Sequence, residues 1–313
     1  MAQETLGARR RARRRLALVA PVRTPIGKFG GGLAGLSAAD LGTHVAQACL
    51  RRAGVEAAVV DQVILGHARQ ANGGPNSARQ IAFRAGVPVE RPAFTVNQAC
   101  GSGIQAMLSA ARTILLGEAG VILAGGTESM SNTPYLLPRA RWGYRLGSDE
   151  IVDGMYKDGF NDPLSGLVMG ETAEELAVEA GISREAADIY AVETQRRCEN
   201  ARASGRFVAE IEPVRIPGRK GETVIADDEH PRDGVTLEAL AKMPAVFRQG
   251  GSVTAANASG ITDGAARLLG TSEEGAGRHG LTPAAYLLDW EVGGVDPLLT
   301  LTVPPAITGA TAD

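Results

Sequence analysis

The residue whose setting says most about chemistry is Cys100, in the run Val96-Asn-Gln-Ala-Cys100-Gly-Ser-Gly-Ile104. Apolar side chains follow at Ile104, Met107, Leu108, Ala111, Ile114 and Leu115, the spacing of one helix face. Cys100 therefore falls where a strand ends and a helix begins. Unpaired backbone N–H groups and the positive end of the helix dipole favour an anion at such a point. A thiol placed there is expected to spend a larger share of its time as the nucleophilic thiolate. Gly101 and Gly103 clear the approach for a thioester carbonyl, and the Cys100 N–H is positioned to help hold an oxyanion. A buried, inert cysteine beside Gly-rich packing fits the local sequence as well, and local sequence alone leaves both readings open. Cys49 and Cys198 lie inside helical patterns with no Gly-rich turn beside them and read as structural. The four histidines, His44, His67, His230 and His279, read as packing or surface residues.

The elements that must hold Cys100 can be read on either side of it. Leu16–Ala20, Val63–Leu65, Ala93–Val96 and Val121–Ala124 are short apolar runs of strand length. Ser37 with Asp40 three residues later starts a helix that runs to about Ala53 and stops at Gly54. A second helix spans Gly101–Leu116. Strands alternating with helices predict an α/β layer on a mostly parallel sheet. From about Ser131 to Gly250, Pro, Gly and charged residues become frequent. Helices are expected there at Glu171–Ala180 and at Arg184–Ser204, the latter capped by Ser183 and ended by Gly205. This stretch reads as a partly helical insertion between pieces of one sheet domain. Ser252–Ala258 then looks strand-like, and Asp263 looks like a helix start.

The bulk properties fit such a reading. The chain has 313 residues, 44% apolar and 21% charged, within the ordinary range for a globular protein. A net charge of −3 gives no overall basic field to attract nucleic acid, and no apolar run has the length of a membrane span. Three cysteines without a CxxC spacing suggest neither a zinc site nor a disulfide framework, and a reducing cytoplasm fits best. Six arginines between Arg9 and Arg15 make a basic tail ahead of the first strand. The tail is followed by too short an apolar run for a secretory signal and contains no Ser for a transit peptide.

Taken together, the motifs resemble the thiolase family. Asn97-Gln-Ala-Cys-Gly-Ser-Gly103 is similar to the family's acyl-accepting motif. Val22-Arg-Thr-Pro-Ile-Gly27, Ala124-Gly-Gly-Thr-Glu-Ser-Met130, Met169-Gly-Glu-Thr-Ala-Glu174, Val253-Thr-Ala-Ala-Asn-Ala-Ser-Gly260 and Thr262-Asp-Gly-Ala-Ala266 match in the family's order. The resemblance runs from about residue 16 to 296. It implies a thiolase-like layered sheet-and-helix fold. Residues 16–130 and 251–280 would form the N-terminal domain, and 131–250 the loop domain inserted in it. Residues 281–313 would be a remnant of a truncated C-terminal domain, and 1–15 the basic tail. It also implies acyl transfer between acyl-CoA and CoA or acetyl-CoA, in fatty acid metabolism, through a Cys100 thioester. Coenzyme A would be the substrate, with no cofactor or metal. By the same resemblance Ser259 would contact the CoA pantetheine, Arg232 the CoA nucleotide, and Phe247 would be an apolar wall of the channel. An Arg beside a phosphorylated nucleotide makes physical sense through charge-assisted bonding and stacking. Other condensing enzymes of the ketoacyl-synthase kind also set a Cys at a helix start, but the Thr-Glu-Ser-Met and Asn-Ala-Ser-Gly motifs favour thiolase.

Three departures from the family pattern qualify the resemblance. Val168 stands where short-chain members often carry His, so no short-acyl preference is implied. Ala239 stands where some members place a Ser near CoA. The family's Asn-Glu-Ala-Phe motif, Gly-His-Pro motif and second Gly-rich Cys motif do not occur in these 313 residues. In the family the His of Gly-His-Pro activates the nucleophile. The alternative expectation is therefore a non-catalytic truncated thiolase-like protein or a partner-dependent subunit, and under either reading this chain alone is expected to show little or no thiolysis of acetoacetyl-CoA. The apolar face around Ile104 and Met107 would then call for a second copy or a partner chain to cover the core.

Overall fold

The computed structural model describes residues 15–219 and 221–299. The basic tail (apart from Arg15) and the segment from residue 300 onward lie outside the described residues.

The chain enters on β1 (Leu16–Arg23), followed by the two-residue β2 (Gly27–Lys28) and helix α1 (Ala38–Ala53). Ser37 and Asp40 close a reciprocal capping box at the start of α1, and Gly54 ends the helix in the left-handed conformation with φ 68°. Next come β3 (Gln62–Gly66), α2 (Ser77–Arg84), β4 (Ala93–Val96), α3 (Ser102–Leu116) and β5 (Val121–Ser129). The inserted region contributes β6 (Tyr135–Leu136), β7 (Val152–Asp153), α4 (Met169–Glu179), α5 (Arg184–Ala203), the hairpin β8 (Val214–Gly218) and β9 (Gly221–Ile225), and α6 (Leu237–Ala241). The chain returns through β10 (Thr262–Ser272), α7 (Glu273–Arg278) and β11 (Pro283–Leu287).

One sheet in the order β11-β1-β10-β5-β3-β4 organises the molecule, with β2 paired to β10. It is mixed, which corrects the expectation of a mostly parallel sheet. Only β3–β4 and β3–β5 run parallel; β1–β10, β1–β11, β10–β2 and β10–β5 are antiparallel. The cause is β10. The sequence around Asp263 reads as a helix start, yet it forms an eleven-residue strand between β1 and β5. Asp263, Ala265, Arg267, Leu269 and Thr271 are all buried, the period of two that a strand requires. Gly125 on the neighbouring β5 lets the two backbones come close. A Cβ on Gly125 would lie 2.1 Å from the Ala266 carbonyl oxygen.

Ser252–Ala258 is likewise a compact turn and not a strand. Asn257 Oδ1 accepts the Thr254 N–H at 2.8 Å, and the Ala258 N–H returns to the Thr254 carbonyl at 3.1 Å. Local side-chain bonds of this kind compete with strand pairing.

Two apolar layers cover the sheet. Val63, Leu65, Leu123 and Leu269 pack with Leu41, Val45 and Ile81 on the side of α1 and α2. Ile64, Ile122 and Ala124 pack with Ala106, Ala110 and Ile114 of α3 on the other side. Beyond that stripe the helix α3 also buries Leu108 but leaves other apolar side chains open. Met107 packs partly against the stripe, while Ile104 is 65% exposed.

Charged contacts hold the insertion to the sheet. Arg23 at the end of β1 donates to both Asp228 oxygens at 2.7 and 2.9 Å and to Glu210 at 2.7 Å. Glu229 accepts the N–H groups of Lys28 at 2.8 Å and Gly32 at 3.0 Å. Bidentate Arg–carboxylate pairs in half-buried settings are among the stronger bonds of this class.

Candidate active site

Cys100 is exposed, two residues ahead of α3. The turn that presents it is held by polar bonds and one strained residue. Ala99 has φ 46°, a left-handed value that costs a residue with a Cβ. Its N–H donates to Asn97 Oδ1 at 3.0 Å, and the Asn97 amide donates to the Ala68 carbonyl at 2.9 Å. Ser102, buried in the first turn of α3, accepts the Gln98 N–H at 2.8 Å through its hydroxyl and donates to the Ala99 carbonyl at 2.6 Å. The small residues beside the turn are a packing requirement. A Cβ on Gly66 would sit 2.3 Å from the Ser102 carbonyl carbon, and one on Gly126 would sit 3.3 Å from the Gly103 Cα. The start of α3 therefore rests on the bare backbone at the ends of β3 and β5.

Behind this turn, Glu128 accepts the N–H groups of Ala68 at 3.1 Å and Arg69 at 3.3 Å. His67 is buried next to it. Its Nδ1 lies 2.9 Å from the Ser77 hydroxyl and its Nε2 lies 3.2 Å from Glu128 Oε1, the second contact without hydrogen-bond geometry. The other two cysteines sit in different surroundings. Cys49 is fully buried on α1, and burial pushes its thiol up to about 12. Cys198 is half-buried on α5, and burial raises its thiol as well. A thiol held protonated makes a poor nucleophile, so among the three only Cys100 combines access with a helix start.

Arg232, Phe247 and Ser259 are all exposed and belong to one cluster of loops. The Arg232 N–H donates to Gln195 Oε1 on α5 at 2.8 Å, and its guanidinium has no ion pair among the described residues. Phe247 lies against Gly170, where a Cβ would come within 2.1 Å of the ring. The Val246 N–H donates to the Val253 carbonyl at 2.9 Å, tying the Phe247 segment to the turn that carries Ser259. His230, two residues before Arg232, faces Gly260, where a Cβ would meet the imidazole at 2.2 Å. No hydrogen bond links Cys100 directly to this cluster among the described residues; β5 and β10 connect the two.

Reading the sequence missed the groups that support this cluster. Glu174 and Asp188 are 3% and 1% exposed, and both reach the 252–257 turn. In the sequence they look like ordinary surface carboxylates of amphipathic helices. The nearest signal is that Glu174 closes the Met169–Glu174 motif. Asn97 and Glu128 also lie inside quoted motifs, but nothing in the sequence marked them as supports of the Cys100 turn.

The fold places the chain in a class before any finer assignment. A crystal structure of the Bacillus anthracis acetyl-CoA acetyltransferase superposes with a TM-score of 0.91 at 42% identity, covering 96% of this chain and 76% of that one. A structure of human mitochondrial 3-ketoacyl-CoA thiolase gives a TM-score of 0.88 at 40% identity, covering 91% and 73%. These are layered α/β proteins of the thiolase type. Residues 16–274 match the family described as the thiolase N-terminal domain. An acetyl-CoA acetyltransferase of Syntrophomonas wolfei is 46% identical over 286 residues, 91% of this chain and 72% of that protein. A probable acetyl-CoA acyltransferase of Staphylococcus aureus is 42% identical over 291 residues, 93% and 74%. The chain belongs to the thiolase family, and it spans about three quarters of the length of these relatives.

Proposed function

We propose that this chain is an acetyl-CoA C-acyltransferase of thiolase type in which Cys100 carries the acyl group. The observation that carries the reading is an exposed thiol at the start of α3 within the family's acyl-accepting motif. In the first half-reaction the Cys100 sulfur attacks the thioester carbonyl of acyl-CoA. The new Cys100 Sγ–C(acyl) bond replaces the S–C bond to CoA, and the thiol proton leaves on the CoA sulfur. A second CoA or acetyl-CoA then takes the acyl group. With CoA as acceptor its sulfur displaces the Cys100 sulfur and its proton passes to Cys100, so the bond energies nearly balance and positioning supplies most of the acceleration. With acetyl-CoA as acceptor its C2 gives up a proton and bonds to the acyl carbon, the Cys100 Sγ–C bond breaks, and the proton ends on the released Cys100 thiol.

Coenzyme A acts as substrate and no cofactor is required. Ser259 contacts the pantetheine arm, Arg232 the phosphorylated nucleotide and Phe247 the apolar part of the channel. The Arg232 guanidinium, without an ion pair among the described residues, and the exposure of all three support this assignment. Residues 16–130 and 251–280 form the N-terminal domain around the inserted 131–250, and β11 adds to the same sheet beside β1. The exposed Ile104 face supports a further chain, a second copy or a partner, lying over α3. No helix among the described residues is long and apolar enough to cross a membrane, and the reading places the protein in the cytoplasm. The bacterial relatives' activities do not favour the alternative of a non-catalytic relative.

The test is exchange of labelled CoA into acetyl-CoA, which needs only the Cys100 half-reaction. Exchange that disappears in Cys100→Ala and persists in Cys49→Ala and Cys198→Ala is the expected result. Exchange undiminished in Cys100→Ala would overturn the assignment.

A further inference from the structure

The turn that carries Ser259 has little apolar packing of its own, and residues 255 and 258–260 are exposed. Its shape is imposed from outside by two carboxylates of the inserted region. Glu174 on α4 accepts the Ser252 N–H at 2.8 Å, the Ser252 hydroxyl at 2.8 Å and the Val253 N–H at 2.8 Å. A Cβ on Gly251 would lie 2.4 Å from Glu174 Oε1, so the chain approaches this carboxylate as closely as only Gly permits. Asp188 on α5 accepts the Asn257 amide at 2.9 Å, and the same amide donates to the Ser252 carbonyl at 2.9 Å. Arg184 balances the Asp188 charge at 2.7 Å and donates on to the Leu240 and Met243 carbonyls at 2.7 and 3.0 Å. Asn257 stands two residues from Ser259. The helix that supplies Glu174 also supplies Gly170, the seat of Phe247.

Buried carboxylates are costly unless their bonds are complete, and here, apart from the Arg184–Asp188 pair, the bonds run to one turn. We infer that Glu174 and Asp188 are positioning residues for the CoA-contacting turn, fixing Ser259 and Phe247 from α4 and α5 without touching substrate themselves. The inference rests on the CoA reading of Ser259. It separates two halves of the site. The thiol turn is set by the sheet, and the CoA turn is set by the insertion.

The experiment measures two quantities on the full chain: CoA affinity by calorimetry, and the rate of Cys100 alkylation by iodoacetamide. Glu174→Gln keeps the shape but replaces an acceptor oxygen with a donor facing N–H groups. Asp188→Asn does the same toward Arg184. Each is expected to weaken CoA binding by about tenfold, the size of one charge-assisted bond, and to leave Cys100 alkylation within about twofold of the parent. Far-ultraviolet circular dichroism identifies any variant that fails to fold, and Ser252→Ala, which removes only one of the three bonds, provides a milder second variant with a smaller loss. CoA affinity unchanged in both carboxylate variants would overturn the inference. So would parallel loss of Cys100 reactivity, which marks a general structural role. If Ser259→Ala also leaves CoA affinity unchanged, the CoA reading of the turn fails first, and the inference falls with it.

Discussion

Cys100 and Ser259 stand on regions held together by different means. Around Cys100 the support is close backbone packing. Gly66, Gly103 and Gly126 bring the start of α3 onto the ends of β3 and β5, and the left-handed Ala99 turns the thiol outward. Around Ser259 the support is polar, from buried carboxylates on α4 and α5. The first kind of support is intolerant of added volume. The second depends on charge.

The largest expected effect breaks the first region. In Gly66→Ala the new Cβ would overlap the backbone of Ser102, which no side-chain rotation relieves. Overpacking of this sort costs about 3 kcal/mol, read as a lower midpoint in urea unfolding, and Cys100 alkylation should change with it. Unaltered stability would show that α3 can shift freely.

A smaller effect of opposite sign is expected beneath the same sheet. Arg267 on β10 is 2% exposed, and none of its three nitrogens has a hydrogen-bond partner among the described residues. Burial pulls its guanidinium down to about 9. Arg267→Met should raise stability by about 2 kcal/mol, as when other buried charges give way to apolar side chains. Its pH dependence follows from the signs. The folded Arg267 releases its proton at about 9 and the unfolded residue only at higher pH, so this group adds stability as pH climbs above about 9. Cys49 acts in the opposite direction. Unfolded it ionises near 9.0 and folded near about 12, so its contribution is full below 9.0 and is lost as pH rises toward 12. The two offset in the parent. Arg267→Met leaves Cys49 alone, so its unfolding midpoint should fall more steeply above pH 9.0 than the parent's. A parallel pair of curves would contradict this account.

The inserted region should respond to acid. Burial pushes the Glu174 carboxyl up, but bonds from Ser252 and Val253 together with the Arg248 charge outweigh it and hold the group below the ordinary carboxylate value of 4.5. Its contribution is therefore present above pH 4.5 and lost as pH falls through the folded value. Glu174→Gln should shallow the acid limb of the stability profile while leaving the alkaline limb alone. At the surface, half-buried Glu193 bonds both Arg196 and Arg197, themselves exposed, at 2.7 Å. Glu193→Ala should leave the unfolding midpoint unchanged, because exposed pairs contribute little.

How far the sequence could be read follows the same division. Signals confined to a few neighbouring residues were legible. Ser37 and Asp40 began α1 as expected, Gly54 ended it, β4 fell on Ala93–Val96, and Ser183 capped α5. Elements that exist through distant partners were not. The strand β10 has the composition of a helix start and becomes a strand because β1 and β5 flank it. The 252–258 turn looks strand-like until Glu174 and Asp188 arrive from residues far earlier in the chain. The short helix α2, capped by Asn76, was not among the elements expected from the sequence. At the site, Cys100 could be singled out because its own neighbours create its setting. Arg232, Phe247 and Ser259 came only through family resemblance, and their supports came only with the structure.

The most direct test of the central claim is to find the acyl group. The chain is incubated with acetyl-CoA, quenched in acid and digested with pepsin, and the peptides are read by tandem mass spectrometry. The account predicts one acetyl thioester, on Cys100, removed by added CoA and missing in Cys100→Ala. An acetyl group on Cys49 or Cys198, or its survival in Cys100→Ala, would contradict it.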